Sequence, residues 1–354
     1  MLAKKRVVVG MSGGVDSSVT AALLKEAGFE VFGLAMELYS CDKPLTGGCC
    51  TPKDRLDARK VCEKLDLPFA IVDLRPAFRR HVLDYFAAEY AQGKTPLPCA
   101  PCNREVRFKA LLEYADQKGA GWIATGHYAR VQEGNILRAR DLKKDQSYFL
   151  WGLEPEVVSR LRLPIGDYAK EEVRALAKKF GLPTSDKAES QDLCFVGNED
   201  HARFLEEHYP AAARPAGDFV DETGNVLGRH HGLHAYTVGQ RRRLGVSLGQ
   251  RAYVTKLDPE KNEIVLGSKE SLRAKGLIAK NPNWIAGRSL LPGPWSLVRI
   301  RSTHAGVPAQ LEELGKTLQI TFQTPQDAVT PGQAAVFYDA DRLLGGAWIE
   351  RAIH

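Results

Sequence analysis

Apolar and polar positions along this chain repeat with two periods, and the change from one to the other near residue 210 divides it. Val7-Val8-Val9 is a continuous apolar run, as expected of a strand buried on both faces. After Gly10, the positions Val15, Val19, Ala22 and Leu23 share one helical face until Gly28 supplies a stop, and Phe29 to Leu38 returns as a strand. A second unit opens at Thr51-Pro52-Lys53-Asp54, where threonine caps, proline takes the first helical position and an acid sits in the first turn. Phe69-Ala70-Ile71-Val72 is its strand. Helical periods follow over 76–92 and 104–117, and Trp122-Ile123-Ala124-Thr125 reads as a strand running into Gly126-His127-Tyr128. This alternation predicts an α/β fold with a doubly wound parallel sheet. Ligands of such sheets bind beyond the carboxyl ends of the strands, the rim where Gly10, Met36 and Gly126 fall.

Tyr209-Pro210-Ala211-Ala212-Ala213-Arg214-Pro215 reads as a linker, and beyond it the helical period fades. Short alternating segments, Ala252 to Leu257, Ile264 to Leu266, Trp295 to Ile300, Thr317 to Phe322 and Ala334 to Tyr338, are separated by Gly, Pro, Asn and Asp. The expected division is a catalytic domain over 1–210, a small β-rich domain over 211–278 and a β-barrel-like domain over 279–354.

Composition narrows the setting. The 354 residues, 44% of them hydrophobic, can bury more than one core. The absence of a long apolar run and of a secretory leader predicts a cytoplasmic protein without a membrane partner. The net charge of +6 is modest, but its distribution is uneven. Between Arg229 and Lys256 there are six Lys or Arg, three His and no acid, including Arg241-Arg242-Arg243, which favours a long polyanion such as RNA over a merely solvated face. Seven cysteines, at 41, 49, 50, 62, 99, 102 and 194, are an odd number in a reducing compartment and argue against a disulfide framework. Cys62 lies in a helical apolar period as a core residue, while Cys41, Cys49 and Cys50 flank a Gly-rich stretch read as a mobile loop rather than a metal knuckle.

The segment Gly10-Met11-Ser12-Gly13-Gly14-Val15-Asp16-Ser17-Ser18, between the first strand and its helix, carries the clearest chemistry. Unpaired N–H groups at the positive end of a helix dipole make a seat for phosphate. No lysine follows the glycines as in the common mononucleotide loop, and the third glycine of the dinucleotide fingerprint is missing. The stretch S-G-G-V-D-S-S resembles the pyrophosphate loop of the PP-loop ATPases, which cleave ATP between its α and β phosphates. Further motifs follow in order: C-N-R-E-V-R-F-K from Cys102, T-G-H-Y-A from Thr125, K-D-Q-S-Y-F-L from Lys144 and E-S-Q-D-L-C-F from Glu189. Together they resemble the bacterial tRNA-specific 2-thiouridylases, the MnmA family, over residues 10–195, with the basic β-rich remainder fitting less specifically.

That resemblance implies ATP-dependent 2-thiolation of the wobble uridine (U34) of tRNA, with Mg2+ as the accompanying cation. ATP would contact Gly10, Met11, Ser12, Gly13, Gly14, Val15, Asp16, Ser17, Met36 and Gly126. Asp16 is also expected in catalysis, with Cys194 as persulfide carrier and Cys102 as the nucleophile that closes a disulfide with it. Contacts to tRNA would come from Leu97, Pro98, Cys99, His127, Lys144, Asp145, Gln146, Arg301, Ser302 and Gln333, the implied substrates being the Lys, Glu and Gln isoacceptors and the implied donor a cysteine desulfurase or sulfur-relay protein. The chemistry is coherent on its own terms. Uridine C2 is weakly electrophilic and its oxygen leaves poorly, faults that adenylation cures, and release of sulfur from a persulfide needs a second thiolate. Arg104 and Arg107 are placed to lower a nearby thiol pKa.

One departure stands out: Leu97-Pro98-Cys99 occupies the place of the family's N-P-D, so a carboxylate is lost. Two readings of Cys99 stay open, a simple loop variant and, with Cys102 and Cys194, the three thiolates of an iron-sulfur cluster. Two other function classes are weaker. A PP-loop small-molecule synthetase has no use for the paired cysteines, and a non-catalytic RNA-binding module leaves the nucleotide loop unexplained.

Overall fold

The computed structural model describes residues 5–39, 52–188, 193–196, 200–246, 251–285 and 296–354. Thr51, Cys41, Cys49 and Cys50 lie outside the described residues, as do Glu189 to Asp192 of the Cys194 motif. The chain forms two compact units. The first comprises residues 1–82, 99–198 and 341–343, and the second 83–98, 199–340 and 344–354.

The first unit is built on a five-stranded parallel sheet. Its strands, in chain order, are β1 (Arg6–Gly10), β2 (Glu30–Glu37), β3 (Phe69–Asp73), β4 (Trp122–Ala124) and, after a hairpin of β5 (Ala129–Gln132) and β6 (Asn135–Arg138), the short β7 (Leu161–Arg162). The spatial order is β3-β2-β1-β4-β7, with every neighbour parallel. Val7, Val8 and Val9 are fully buried, as the uninterrupted apolar run requires of a central strand. Helix Val15–Glu26 connects β1 to β2 and lays Val15, Val19, Ala22 and Leu24 against the core, which also takes in Val61 and Cys62 from helix Pro52–Lys64. Gly28 ends the first helix with a positive φ of 82°. The expected helix over 104–117 is α-helical only over Phe108–Gln117; Cys102–Arg107 is a wider π-helical turn, and a second one occupies Arg79–Leu83.

The second unit holds a four-stranded sheet and a barrel. The sheet orders its strands β10-β11-β8-β9, where β8 is Gly217–Val220, β9 Val226–His230, β10 Tyr253–Asp258 and β11 Glu263–Gly267. Its apolar side gathers Phe219, Leu233, Tyr236, Val254 and Ile264. The barrel uses β12 (Arg273–Trp284), β13 (Ser296–Arg299), β14 (Val307–Leu314), β15 (Thr317–Asp327), β16 (Ala334–Asp339) and β17 (Arg342–Ile353) in the order β12-β15-β14-β13-β16-β17. Pairing of β12 with β17 closes it, which removes exposed sheet edges. Ala309, Leu318, Ile320, Phe337, Leu344 and Ile349 fill its interior.

Two expected boundaries fall elsewhere in these units. Residue 278, expected to end the middle domain, lies inside β12, and Leu83–Pro98 groups with the second unit. The physical reason is local packing: within that unit Phe86 contacts Phe204 edge to face at 6.3 Å, and Arg214 donates twice to the Ala91 carbonyl. Among the described residues no helix is long and apolar enough to cross a membrane.

Candidate active site

The strand order of the first unit reverses at β1, with β2 on one side and β4 on the other, so the loops leaving β1 and β4 diverge and leave a crevice. A cavity of about 410 Å³ lies there. Gly10, Met11, Ser12, Gly14, Val15, Asp16 and Ser17 line it from the first loop, Met36 from the end of β2, and Thr125, Gly126 and His127 from beyond β4.

Sequence and geometry agree on how this loop is shaped. The helix N-cap is Gly14, which brings no side-chain acceptor to the first-turn N–H groups. Ser17 Oγ accepts from the Ser12 amide at 3.2 Å, and Ser18 Oγ donates to the Gly14 carbonyl at 2.7 Å, fixing the turn internally. Gly13 has a φ of 73°, and a Cβ added to it would stand 2.0 Å from the Asp54 carbonyl oxygen, so only glycine fits. A Cβ on Gly126 would lie 2.8 Å from Asp16 C and Ser17 N, which means that the β4 loop presses directly on the helix start.

Three lysines face the same cavity from separate elements: Lys144, Lys170 and Lys187. Lys170, with only 7% of its side chain exposed, donates to Asp16 Oδ1 at 2.7 Å, and Tyr128 Oη donates to the same oxygen at 3.0 Å. Asp16 is therefore held in one orientation by two donors over 100 residues away in sequence. Lys187 Nζ donates to the Gly13 carbonyl at 2.9 Å, Asp54 Oδ1 at 2.7 Å and Asp57 Oδ2 at 2.7 Å. Burial opposes its charge, but the hydrogen bonds to Asp54 and Asp57 outweigh that and raise its pKa. Sequence reasoning does not find Lys170, Lys187, Tyr128 or Asp54 as site residues. Lys170 and Lys187 stand alone in their segments, and although Tyr128 falls within the T-G-H-Y-A motif, nothing local marks a partner so far along the chain for any of the three.

The remaining expected residues separate into groups. His127 lines the cavity, with Nδ1 2.8 Å from Thr125 Oγ1 and its ring stacked near Phe108. Burial, reinforced by the Arg107 guanidinium, pushes its pKa down to about 3, so the ring is neutral at pH 7. Lys144 and Gln146 also line the cavity, and Gln146 Oε1 accepts from the Tyr128 amide at 2.9 Å. Asp145 between them differs from expectation. Its carboxylate is fully buried and accepts from the amides of Ala139 and Ser147 and from Arg138 Nε, so it shapes the loop that presents its neighbours.

None of Cys99, Cys102 and Cys194 lines the cavity. Cys102 is buried at the start of the π-helical turn, next to Asn103, whose Nδ2 donates to the Phe149 carbonyl at 3.1 Å and so ties two of the sequence motifs together. Cys99 is exposed. Cys194 is half-buried, beside Phe195, which packs edge to face on Phe78 at 5.9 Å. Arg104 is engaged by Glu105 at 3.1 Å, whereas Arg107 reaches the cavity lining. Cys62 is inert by contrast, since burial, with Glu63 adding to it, pushes its thiol up to about 12. Among the described residues no group of three or more His, Cys, Asp or Glu side chains is gathered to hold a metal ion.

In the second unit, Leu97 and Pro98 are buried. Gln333 donates through Nε2 to the Thr95 and Pro96 carbonyls at 3.1 and 3.2 Å, fixing the segment just before them. Arg301 and Ser302 are half-buried on the β13–β14 turn, which the buried Arg299 organises by donating to the carbonyls of Ser302 and His304.

A parallel sheet with a glycine-rich phosphate seat at its switch point defines an α/β nucleotide-binding enzyme of the PP-loop kind. Residues 5–198 match the model described as the tRNA methyl transferase HUP domain, 202–268 the tRNA methyl transferase PRC-barrel domain, and 274–349 the aminomethyltransferase beta-barrel domain. Curated relatives named tRNA-specific 2-thiouridylase MnmA match throughout: 44% identity with the Carboxydothermus hydrogenoformans protein, covering 100% of both chains, and 44% with that of Geobacter metallireducens, covering 99% of this chain and 98% of the other. The chain belongs to the tRNA-specific 2-thiouridylase family.

Two outcomes are expected at this site. Gly126→Ala forces the β4 loop off the helix start at an overpacking cost of about 1–3 kcal/mol, and the KM for ATP should rise by about tenfold or more. An unchanged KM would show that the contact does not shape the nucleotide seat. For His127, a folded pKa below the ordinary 6.5 means that the unfolded chain takes up the proton first, so this residue lowers stability as pH falls from about 6.5 toward 3 and contributes nothing above that window. Imidazole NMR should find His127 neutral throughout pH 5–8; a midpoint near 6.5 would contradict its burial.

Proposed function

We propose that this chain is an ATP-dependent tRNA-uridine 2-sulfurtransferase that thiolates C2 of the wobble uridine, U34, and releases AMP and pyrophosphate. The observation that carries the reading is one cavity lined jointly by residues 10–12 and 14–17 of the first loop, Met36 and the Gly126-His127 turn, with lysines from three further segments. Family membership supports tRNA as the substrate. The Lys, Glu and Gln isoacceptors, the desulfurase or relay donor and the cytoplasmic setting are part of the same proposal.

The uridine O2 attacks the α phosphorus, pyrophosphate leaves into the amide-lined loop, and the C2 oxygen becomes part of AMP, a good leaving group. First-turn N–H groups and Lys144 on the cavity wall offset the charge that develops on the departing pyrophosphate. Mg2+ takes oxygen donors and commonly binds through one or two carboxylates plus substrate phosphates, a requirement that Asp16 on the cavity wall fits; bound there, it would neutralise phosphate charge. Neutral His127 takes part as a hydrogen-bonding rather than a charged group. The terminal sulfur of a Cys194 persulfide then attacks C2 and expels AMP, leaving a C2–S–S–Cys194 linkage. Attack of the Cys102 thiolate on Cys194 Sγ breaks that S–S bond, frees 2-thiouridine and closes a Cys102–Cys194 disulfide, which an external thiol reductant must reopen.

Incubation with unmodified tRNA, ATP and a persulfide donor should yield 2-thiouridine together with AMP and pyrophosphate; ammonia-dependent amidation without thiolated nucleoside would overturn the reading. Cys194→Ser should abolish sulfur loading and thiolation while pyrophosphate release persists. Cys102→Ser should still load sulfur yet fail to turn over.

Arg241, Arg242 and Arg243 are exposed in the second unit, and we assign them to phosphate contacts with the tRNA. Replacing all three with Gln should weaken tRNA binding and flatten the dependence of log K on log salt by about one for each phosphate no longer neutralised. An unchanged slope would show that the run faces solvent in the complex.

A further inference from the structure

Lys187 stands at a junction that the proposed chemistry leaves unexplained. It lines the nucleotide cavity, as a phosphate-binding lysine would, yet its ammonium is already saturated. An ammonium has three N–H donors, and those of Lys187 have three acceptors: the Gly13 carbonyl and one carboxylate oxygen each of Asp54 and Asp57. Both carboxylates belong to helix Pro52–Lys64, and the Asp54 side chain is only 10% exposed. The same helix bears on Gly13 a second way, since the Asp54 carbonyl oxygen lies where a Gly13 side chain would be.

A carbonyl turned into a pyrophosphate seat would repel its ligand, whereas N–H groups attract it. The left-handed φ of Gly13 and the Lys187 hydrogen bond act together on this one peptide, drawing its oxygen toward the ammonium. Asp54 and Asp57 in turn hold the ammonium in place and balance its charge.

We propose that Lys187, anchored by Asp54 and Asp57, is a positioning residue for the ATP reaction: it acts through the Gly13 carbonyl to keep the loop in its phosphate-accepting form, and does not itself bind phosphate. This rests on ATP being the nucleotide of the cavity. It also gives the segment that leads to Cys194, seven residues further on, a direct hold on the nucleotide loop.

The test measures binding of a non-hydrolysable ATP analogue and of tRNA by calorimetry, alongside thermal stability, on the full chain. Lys187→Met should weaken analogue binding at least tenfold and leave the affinity for tRNA unchanged. Because that variant leaves two carboxylates uncompensated and invites misfolding, the charge-neutral triple variant Lys187→Met, Asp54→Asn, Asp57→Asn is the second arm. It should recover thermal stability while analogue binding stays severalfold weaker than native, since nothing holds the Gly13 carbonyl. Native analogue affinity in either variant would overturn the proposal, as would equal loss of analogue and tRNA binding in Lys187→Met. A native chain that binds the analogue but makes no 2-thiouridine would sink the functional reading alone; one that binds no analogue would sink both.

Discussion

The reversal of strand order at β1 is the constraint from which the site follows. A parallel sheet places all its carboxyl ends on one rim, and the helices after neighbouring strands normally fill the space above them. Where β2 and β4 flank β1, the connections leave toward opposite faces and the rim stays open. The loop after β1 then offers backbone N–H groups to the opening. Close packing holds it there: Gly126 admits no side chain against Asp16 and Ser17, and Gly13 admits none against Asp54. Both glycines are places where two backbones meet, and substitution at either acts on the site through geometry before it acts on chemistry.

Charge follows the same logic. Asp16 sits in the first helical turn, where its negative charge is favourable for the helix dipole. Lys170 and Tyr128 donate to one of its oxygens, which compensates the charge and fixes its direction. A nearly buried ammonium without that carboxylate would be expensive, so the pair is mutually required. Lys187 is compensated by Asp54 and Asp57 in the same manner. Two of the cavity's lysines, Lys170 and Lys187, are thus already balanced by carboxylates of the fold.

Much of this is legible in the chain itself, for identifiable reasons. The buried run Val7 to Val9, the Gly28 stop and the glycine-rich loop each express a local rule, and local rules survive in a linear sequence. The residues lining the crevice from 10–17, Met36 and Gly126 are legible because strand ends in a parallel sheet share one rim. Lys170 and Lys187 are not, since their partners lie 154 and up to 174 residues away and nothing near them in sequence marks the pairing. For a related reason, the fate of the Asp145 carboxylate is not legible: the motif shows a polar residue, and only the folded loop shows that Arg138 and two amides donate to it. The allotment of Leu83–Pro98 to the second unit likewise depends on Phe86 finding Phe204, a contact between segments over 100 residues apart.

The cysteines sit in unlike surroundings. Thiol chemistry needs a thiolate, and a thiol surrounded by apolar groups resists forming one, as Cys62 does at about 12. Cys194 is half-buried in a turn pinned by Phe195 against Phe78, and Cys102 opens a widened helical turn whose next residue is tied to the Phe149 carbonyl. A π-helical turn adds a residue to the helical circuit and rotates the side chains before it relative to those after it. The regular part that follows, Phe108–Gln117, packs Phe108, Ala110 and Leu111 into the core. The irregular start and the regular remainder of this segment thus differ in backbone register while both bury side chains, Cys102, Asn103 and Val106 in the first and Phe108, Ala110 and Leu111 in the second.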